Sequence, residues 1–241
     1  MIDILAIGAH PDDVEISMGG AICVFKKQGY KVGICDLCRG ESGTYGSLEI
    51  RQQELEKANR ILSIDRRVTL DLPDGNIRNT EQARLKVINV IRELKPEIVF
   101  SFVTDTTRHP DHASTGQIVK ESVFLAGLEK IKTDLGPFRP SQLIYFPELL
   151  INRKPDFIID ISDFFEKKIE AIKAYESQVT GKDDKNTKTF LRSGNFWVTV
   201  TSRAKYIGAM SGVRYGEPFY SDTPVRVLDI YNSFKRDKSF K

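Results

Sequence analysis

The feature of this sequence that most restricts its fold is the apolar run Ile4–Gly8, which contains no polar side chain. Such a run is typical of a strand that is buried on both faces, as at the centre of a parallel sheet. The segment Ala9-His10-Pro11-Asp12-Asp13 follows directly, and Pro11 with Gly19 and Gly20 indicates a rigid turn that leads into a helix. Charged side chains therefore follow a central strand, at the sheet edge where open α/β sheets bind ligands.

Apolar runs of strand length alternate with helical patterns along the rest of the chain. Strands are predicted at 31–38, 68–70, 97–102, 143–146 and 157–161, and helices at 21–28, 47–62, 81–94, 113–128, 164–177 and 195–210. A mobile polar loop is predicted at 180–188, and the end of the chain is predicted to be irregular. The alternation predicts an α/β fold with a three-layer, Rossmann-like, doubly wound and mostly parallel sheet, in which residues 1–241 form a single domain.

The balance of charge argues against two classes of partner. The chain has 36 basic and 33 acidic residues and a formal net charge of +3, so no large field of one sign would attract nucleic acid or a membrane surface. No apolar run approaches the roughly 20 residues that a membrane-spanning helix needs, and the sequence shows no signal peptide. We therefore expect a soluble, cytoplasmic protein.

The three cysteines, Cys23, Cys35 and Cys38, are too few and odd in number for a disulfide framework, which agrees with a reducing compartment. Cys35 and Cys38 have the spacing of a redox or zinc pair. Because residues three apart on a strand point to opposite faces, we do not expect these two to share a metal ion. We interpret them as small, buried apolar residues.

All three histidines lie in two segments that the predicted fold brings together. His10 follows the first strand, whereas His109 and His112 follow the strand at 97–102. In the commonest doubly wound order these two strands are neighbours, and a crevice opens at their carboxyl ends. Histidines that only fill a core would not be expected to cluster in this way. The sequence thus predicts one site made from both segments.

The residue types in these segments match a hydrolytic metal centre. Two imidazoles and a carboxylate, with one position left to water, are the usual ligands of catalytic zinc. His10 and Asp13 are three residues apart at the start of a helix and share a face, and His112 can complete the set. Structural zinc sites use more cysteine, so an open catalytic site is favoured. Zn²⁺ is the expected ion, and the same ligands also accept Fe²⁺, cobalt or manganese.

The remaining polar residues of the two segments suit amide hydrolysis. Asp12, beside Asp13, is the candidate general base for the attacking water, with a helix N-cap as its alternative role. His109 is the candidate protonated imidazole that stabilises the oxyanion and protonates the leaving nitrogen. Asp111, two residues further on, is placed to fix the tautomer of His109.

A glycine-rich segment at 40–47 follows the second strand and is therefore predicted on the same sheet edge. It is interpreted either as a wall of the ligand site or as an ordinary connection. Arg51 lies one turn inside the next helix, beside this segment. The alternative to a binding role is a solvated arginine that pairs with Glu54.

The sequence resembles the PIG-L (LmbE-like) family of zinc-dependent N-acetylglucosaminide deacetylases. The likeness extends over nearly the whole chain and is greatest in Ala9-His10-Pro11-Asp12-Asp13-Val14-Glu15-Ile16 and His109-Pro110-Asp111-His112. Within the family it is strongest to the deacetylases that act on N-acetylglucosaminyl-malate in bacillithiol biosynthesis. That branch is indicated by Gly40-Glu41-Ser42-Gly43-Thr44, Ile50-Arg51 and Ala174-Tyr175-Glu176-Ser177-Gln178, among other segments.

The resemblance implies a small-molecule substrate, an acetylated amino-sugar conjugate, and a homo-oligomeric enzyme. It also implies that Arg51 and Arg139 hold the substrate, because a guanidinium fork suits the carboxylates of malate. Without the resemblance, each would be interpreted as a surface arginine. For the two histidine segments it implies metal ligation by His10, Asp13 and His112, base catalysis by Asp12 and acid catalysis by His109.

The residues also leave other functions open. The same chemistry could act on a chitobiose-like sugar, a nucleotide-linked sugar or a bacillithiol S-conjugate. A nucleotide-binding Rossmann protein is an alternative of another class, although Gly8-Ala9-His10-Pro11-Asp12 lacks the G-x-G-x-x-G pattern and carboxylates would repel a pyrophosphate. A non-catalytic metal-binding protein is a third alternative.

Overall fold

A computed structural model describes residues 1–105, 108–149, 153–180 and 189–235. Within these ranges seven strands form one sheet, in the order β3-β2-β1-β4-β5-β7-β6. The strands are β1 Ile4–Gly8, β2 Val32–Asp36, β3 Arg66–Thr69, β4 Ile98–Phe102, β5 Gln142–Phe146, β6 Phe157–Asp160 and β7 Gly216–Ser221. The helices are α1 Asp13–Lys27, α2 Leu48–Leu62, α3 Glu81–Leu94, α4 Pro110–Ala126, α5 Phe165–Lys173, α6 Glu176–Val179, α7 Gly194–Ser211 and α8 Ile230–Phe234, with a short 3-10 helix at Phe190–Arg192.

The sheet confirms the predicted α/β class and the predicted neighbourhood of β1 and β4. β1 pairs in parallel with both β2 and β4, and Ile4 lies opposite Ile98 in the β4 ladder. Every residue of β1 and β2 is buried, because α1, α2 and α5 pack together in one helical layer and α3 and α4 in another. A strand covered on both faces needs apolar side chains on both faces, which explains the continuous apolar run.

Helix α1 lies unusually close to the chain that follows β6. A Cβ atom on Gly20 would lie 2.8 Å from the side chain of Ile161, so only glycine permits this approach. The helix is also kinked at Met18, where φ is −142°. The kink exposes backbone amides of the second half of the helix, and the Glu217 carboxylate accepts hydrogen bonds from Gly20 and Ala21.

Two elements differ from the sequence-based prediction. The predicted helix at 164–177 is two helices, α5 and α6, separated at Ala174 and Tyr175. The region after α7, predicted to be irregular, contains β7, which is antiparallel to both of its neighbours. Its proline and glycine argue against a strand. Pro218 is tolerated because β7 pairs with β6 around it, whereas its pairing with β5 begins only at Tyr220.

The polar segment predicted at 180–188 lies, apart from Thr180, outside the described residues. Thr180 itself has an extended backbone and follows α6. Among the residues that the structure describes, no helix has the length and apolar character needed to cross a membrane.

Candidate active site

A cavity of about 410 Å³ opens where β1 and β4 end, which is the predicted position of the site. Its volume lies within the usual range for small-molecule sites. One wall is apolar and comes from α1, α7, the 3-10 helix and the segment after β5. The charged and imidazole side chains of the lining are His10, Asp12, Asp13, Arg51, Asp74, Arg108, His109, His112 and Glu148.

His10, Asp13 and His112 converge at the inner end of this cavity. One possible ligand atom from each lies within 4.8 Å of the others, a spacing that could hold a metal ion. The Nδ1 atom of His10 is 3.2 Å from one Asp13 oxygen, and Nε2 of His112 is 3.1 Å from the other. Asp13 is held in place because the backbone amides of Ala9 and His10 donate to its carboxylate.

The surroundings of the two imidazoles fit a metal centre. Metal-bound histidines almost always direct their second ring nitrogen to a carboxylate or carbonyl. Nε2 of His10, the nitrogen away from Asp13, is 3.1 Å from Asp74 and 3.3 Å from Asp111. Nδ1 of His112, also the nitrogen away from Asp13, is 2.7 Å from Glu148. Each imidazole therefore has one nitrogen supported by an acid and one that faces Asp13, where an ion could be held.

The charges at this point favour a cation. Burial lowers the pKa of His112, but the neighbouring Asp13 carboxylate outweighs burial and raises it to about 9. The pKa of His10 is also raised, because Asp13 and Asp111 outweigh burial. Conversely, the two imidazoles outweigh burial and hold the pKa of Asp13 well below its usual range. The negative potential that raises both imidazole pKa values would also attract a metal ion placed among these groups.

Asp12 lines the cavity and has an unusual backbone. Its φ is +114°, a left-handed value that costs free energy for a residue other than glycine. Asp12 occupies the N-cap position of α1 and is 5% exposed, but its side chain makes no capping hydrogen bond to the helix. Burial raises the pKa of Asp12 to about 7, although the charge of Arg51 opposes this effect. A carboxylate with such a pKa can take and return a proton near neutral pH.

The hydrogen bonds of His109 differ from the sequence-based expectation. The backbone amide of Asp111 donates to Nδ1 of His109 at 3.2 Å, a contact that favours the neutral ring with its proton on Nε2. Burial, with the nearby His112, lowers the pKa of His109. The Asp111 carboxylate instead accepts from the amides of Gly75 and Ile77 and faces His10. Asp111 therefore contacts Nδ1 of His109 through its backbone amide and not through its carboxylate.

Arg51 is a buried residue of the cavity wall. Its Nη2 atom donates to the carbonyl of Pro11 at 3.0 Å, which ties α2 to the turn before α1. The glycine-rich segment packs on the guanidinium, and a Cβ on Gly40, whose φ is +71°, would lie 2.6 Å from it. The expected alternative pairing with Glu54 is wrong, because the Glu54 carboxylate accepts hydrogen bonds from Ser177.

The structure does not bring Arg139 to the cavity. Its guanidinium lies 4.4 Å from the ring centroid of Phe124 and donates to the carbonyl of Phe124. It also packs against Gly127, at the C-terminal end of α4, whereas the cavity is at the N-terminal end of that helix. A cation at a helix C-terminus complements the helix dipole, so its position has a structural explanation. The expectation that Arg139 contacts the substrate is therefore corrected: its guanidinium packs on Phe124.

Sequence reasoning missed three polar residues of the cavity: Asp74, Arg108 and Glu148. Asp74 follows β3 and Glu148 follows β5, so both lie at the carboxyl edge of the parallel sheet. That position after a strand is the signal by which they could have been found. Arg108 directly precedes His109, and its guanidinium lies 4.2 Å from the ring centroid of Phe190 in the cavity wall.

The fold and site together define a class of protein. At the carboxyl edge of a doubly wound sheet lie two imidazoles with a carboxylate that could hold a metal ion with them, and a second, buried carboxylate beside them, which are the residue types of a hydrolytic site. The family model PIG-L, described as GlcNAc-PI de-N-acetylase, matches residues 5–123, which contain both histidine segments. The chain belongs to the PIG-L family.

Individual relatives agree with this assignment. The chain is 31% identical over 226 residues to the diacetylchitobiose deacetylase of Thermococcus kodakarensis, covering 89% of this chain and 80% of that protein. It is 27% identical to the probable N-acetyl-alpha-D-glucosaminyl L-malate deacetylase 2 of Bacillus anthracis, covering 81% and 94%. The crystal structure of a conserved protein from Thermus thermophilus superposes with a TM-score of 0.87 at 35% identity, covering 95% of this chain and 99% of that one.

Proposed function

We propose that this protein is a metal-dependent hydrolase that removes the N-acetyl group from a glucosamine conjugate in the cytoplasm. The substrate we favour is N-acetylglucosaminyl-malate, an intermediate of bacillithiol biosynthesis. The observation that carries the proposal is the convergence of His10, Asp13 and His112, each imidazole supported by a carboxylate, beside the buried Asp12. The relationship to deacetylases of amino sugars supports the substrate class.

In this proposal His10, Asp13 and His112 hold a divalent ion, with Zn²⁺ expected and Fe²⁺ an alternative. Such an ion would lower the pKa of a water molecule towards about 7 and polarise the acetamide carbonyl. Asp12 accepts the proton of the water as its oxygen bonds to the carbonyl carbon. The same proton then passes from Asp12 to the leaving nitrogen as the carbon–nitrogen bond breaks, which yields acetate and a free amine.

His109 contributes a hydrogen bond in this proposal. The hydrogen bond from the Asp111 amide to Nδ1 leaves the proton of the ring on Nε2. A neutral imidazole of this tautomer can donate to the oxygen that becomes negative in the transition state. The role is narrower than the acid predicted from the sequence, because a neutral ring is a poor source of a proton for the amine.

Two arginines of the cavity support an acidic aglycone. Arg51 and Arg108 both line the cavity, and guanidinium groups bind carboxylates through paired hydrogen bonds. Two cations in a cavity of this size suit the two carboxylates of malate better than the neutral second sugar of diacetylchitobiose. An N-acetylglucosaminide of the latter kind is the alternative substrate.

The test is a comparison of amine release from N-acetylglucosaminyl-malate, diacetylchitobiose and free N-acetylglucosamine. We expect the malate conjugate to have the highest kcat/KM and expect this preference to disappear in Arg51→Ala. Arg51→Lys, which keeps the charge without the fork, should retain part of it. Thermal unfolding of each variant controls for damage to the fold. Equal rates on all three substrates would refute the carboxylate-binding role, and a preference for diacetylchitobiose would favour the alternative.

We also propose that the enzyme is a homo-oligomer. Residues 222–235 are all exposed, although they include large apolar side chains that proteins seldom leave in water as a group. These side chains are Val225, Val227, Leu228, Ile230, Tyr231 and Phe234. Analytical ultracentrifugation should find an oligomer that the double variant Leu228→Ser, Ile230→Ser weakens, whereas a monomeric wild-type chain would contradict the proposal.

A further inference from the structure

A second group of potential metal ligands lies on the other side of His10. It consists of His10, Cys38 and Asp74, and one ligand atom from each lies within 4.8 Å of the others. Its donors are an imidazole nitrogen, a sulfur and a carboxylate oxygen, all of which bind zinc in proteins. Cys38 has no role in the proposed hydrolysis. The group therefore needs a separate explanation.

The three side chains are held in position by the backbone around them. The amide of Cys38 donates to the carbonyl of Ala9, which fixes the end of β2 beside His10. The amide of Gly40 hydrogen-bonds the Cys38 sulfur. One Asp74 oxygen accepts from the amide of Ser42 at 2.8 Å, and the other lies 3.1 Å from Nε2 of His10. The arrangement is thus preorganised rather than a chance approach of flexible side chains.

This group is distinct from the catalytic ligand set because it uses the opposite nitrogen of the shared imidazole. Nδ1 of His10 faces Asp13, whereas Nε2 faces Asp74. The catalytic set contains only nitrogen and oxygen donors, but the second group includes the sulfur of Cys38. Thiolate ligands favour thiophilic ions such as Zn²⁺ and Cd²⁺ over Mg²⁺ or Mn²⁺. The two groups should therefore differ in the ions that they accept.

We propose that His10, Cys38 and Asp74 form a second cation site, which takes a thiophilic divalent ion and inhibits the deacetylase when it is filled. An ion would enter through the cavity, which His10 and Asp74 line. Binding releases the thiol proton of Cys38 to solvent, since the thiolate is the ligand. A bound ion would also replace the hydrogen bonds that Nε2 of His10 makes with the carboxylates of Asp74 and Asp111. An imidazole can bind two ions only after losing both ring protons, so a filled second site opposes binding at the catalytic set.

The inference is tested with Cd²⁺, which gives an ultraviolet thiolate-to-metal absorption band, and with Mn²⁺ as the hard-ion control. The full-length protein is first stripped of metal by chelation, and bound ions per chain are then measured after desalting. The informative variant is Cys38→Ala. The matched control is Cys35→Ala, which removes another buried cysteine of the same segment that is in no candidate ligand group of the described residues.

We expect the wild-type protein and Cys35→Ala to show the thiolate band when Cd²⁺ is added, and we expect Cys38→Ala to show none. Mn²⁺ should not produce this difference. Excess Cd²⁺ or Zn²⁺ should inhibit the wild-type deacetylase at least tenfold more strongly than it inhibits Cys38→Ala, whose activity without excess metal should be unchanged.

A wild-type protein that binds Cd²⁺ without a thiolate band, or a thiolate band that persists in Cys38→Ala, would overturn the inference. If Cys38→Ala fails to fold by circular dichroism, Asp74→Asn provides the second variant. Asp74→Asn should still show the thiolate band but need at least a tenfold higher Cd²⁺ concentration for half of its full intensity. Unchanged Cd²⁺ affinity in Asp74→Asn would count against the site. Because the band and the ion count do not depend on turnover, failure of the proposed hydrolysis would leave this result interpretable.

Discussion

Two groups of polar and charged residues share the start of α1 but differ in their surroundings. We call them the cavity cluster and the buried cluster. The cavity cluster comprises His10, Asp12, Asp13, His109 and His112, and the buried cluster comprises Glu15, Asp36, Arg67 and Tyr175. Asp13 and Glu15 are only two residues apart on α1. The first group lines the cavity at the carboxyl edge of the sheet, whereas no member of the second group does.

The buried cluster supplies its own countercharge. Arg67, 4% exposed at its side chain, makes paired hydrogen bonds of 2.7 and 2.8 Å to Asp36 and a third of 2.6 Å to Glu15. The hydroxyl of Tyr175 also donates to Glu15. In the cavity cluster, Asp13 instead faces two imidazoles, which are positive only when they bind protons. The comparison shows that the charges of the buried cluster are matched within the fold, whereas the carboxylate and imidazoles of the cavity cluster could also hold an ion.

The largest expected effect is on turnover and follows from the loss of the Asp12 carboxylate. Asp12→Asn should lower kcat by about 10²–10⁴-fold, because no general base is left beside the ligands. Bound metal and the free energy of unfolding should be unchanged. The measurements are amine release, metal content and urea unfolding, with the exposed Asp163→Asn as control. A variant that keeps full turnover, or that loses its metal, would show that Asp12 is not the base.

Loss of Arg67 should affect stability rather than catalysis. Arg67→Met leaves Glu15 and Asp36 buried without a cation, which should lower the free energy of unfolding by about 3–5 kcal/mol. The neighbouring Arg66 provides the control, since its ion pair with Glu93 is exposed and Arg66→Met should cost less than about 1 kcal/mol. Equal effects in urea unfolding would remove the distinction between matched buried charge and surface charge.

A smaller effect, on metal affinity, is expected from the loss of the carboxylate that supports His112. Glu148 accepts from Nδ1 of His112, and Glu148→Gln should weaken metal affinity by about 10–100-fold because the ligand becomes less basic. Competition with a chromogenic chelator measures this change, and the exposed Glu129→Gln should not alter it. Unchanged affinity in Glu148→Gln would indicate that His112 is not a ligand.

The smallest effect is expected at Arg139. Because its guanidinium packs on Phe124 at the end of α4, Arg139→Ala should leave kcat/KM for every substrate within about twofold, a difference near 0.4 kcal/mol. Steady-state kinetics of Arg139→Ala and Arg51→Ala on the same substrates measures this difference. A loss in Arg139→Ala as large as that in Arg51→Ala would restore the substrate contact expected from the family resemblance.

Much of the fold could be predicted because its signals are local. The buried run Ile4–Gly8 and the helix Glu81–Leu94 each follow from neighbouring residues, and the structure has both. The strand β7 could not be predicted in the same way. It contains Pro218 and exists because β5 and β6 accept it between them, which is a property of the assembled sheet.

The sequence by itself determined that three histidines follow two central strands, and parallel-strand topology was sufficient to bring these segments to one edge. Only the tertiary structure decided which acids support them, that Asp111 reaches His10 rather than His109, and that Arg139 lies far from the cavity. The physical reason is one of range. Strand and helix signals extend over a few residues, whereas hydrogen bonds such as that between His112 and Glu148 join residues 36 positions apart and depend on how the elements pack.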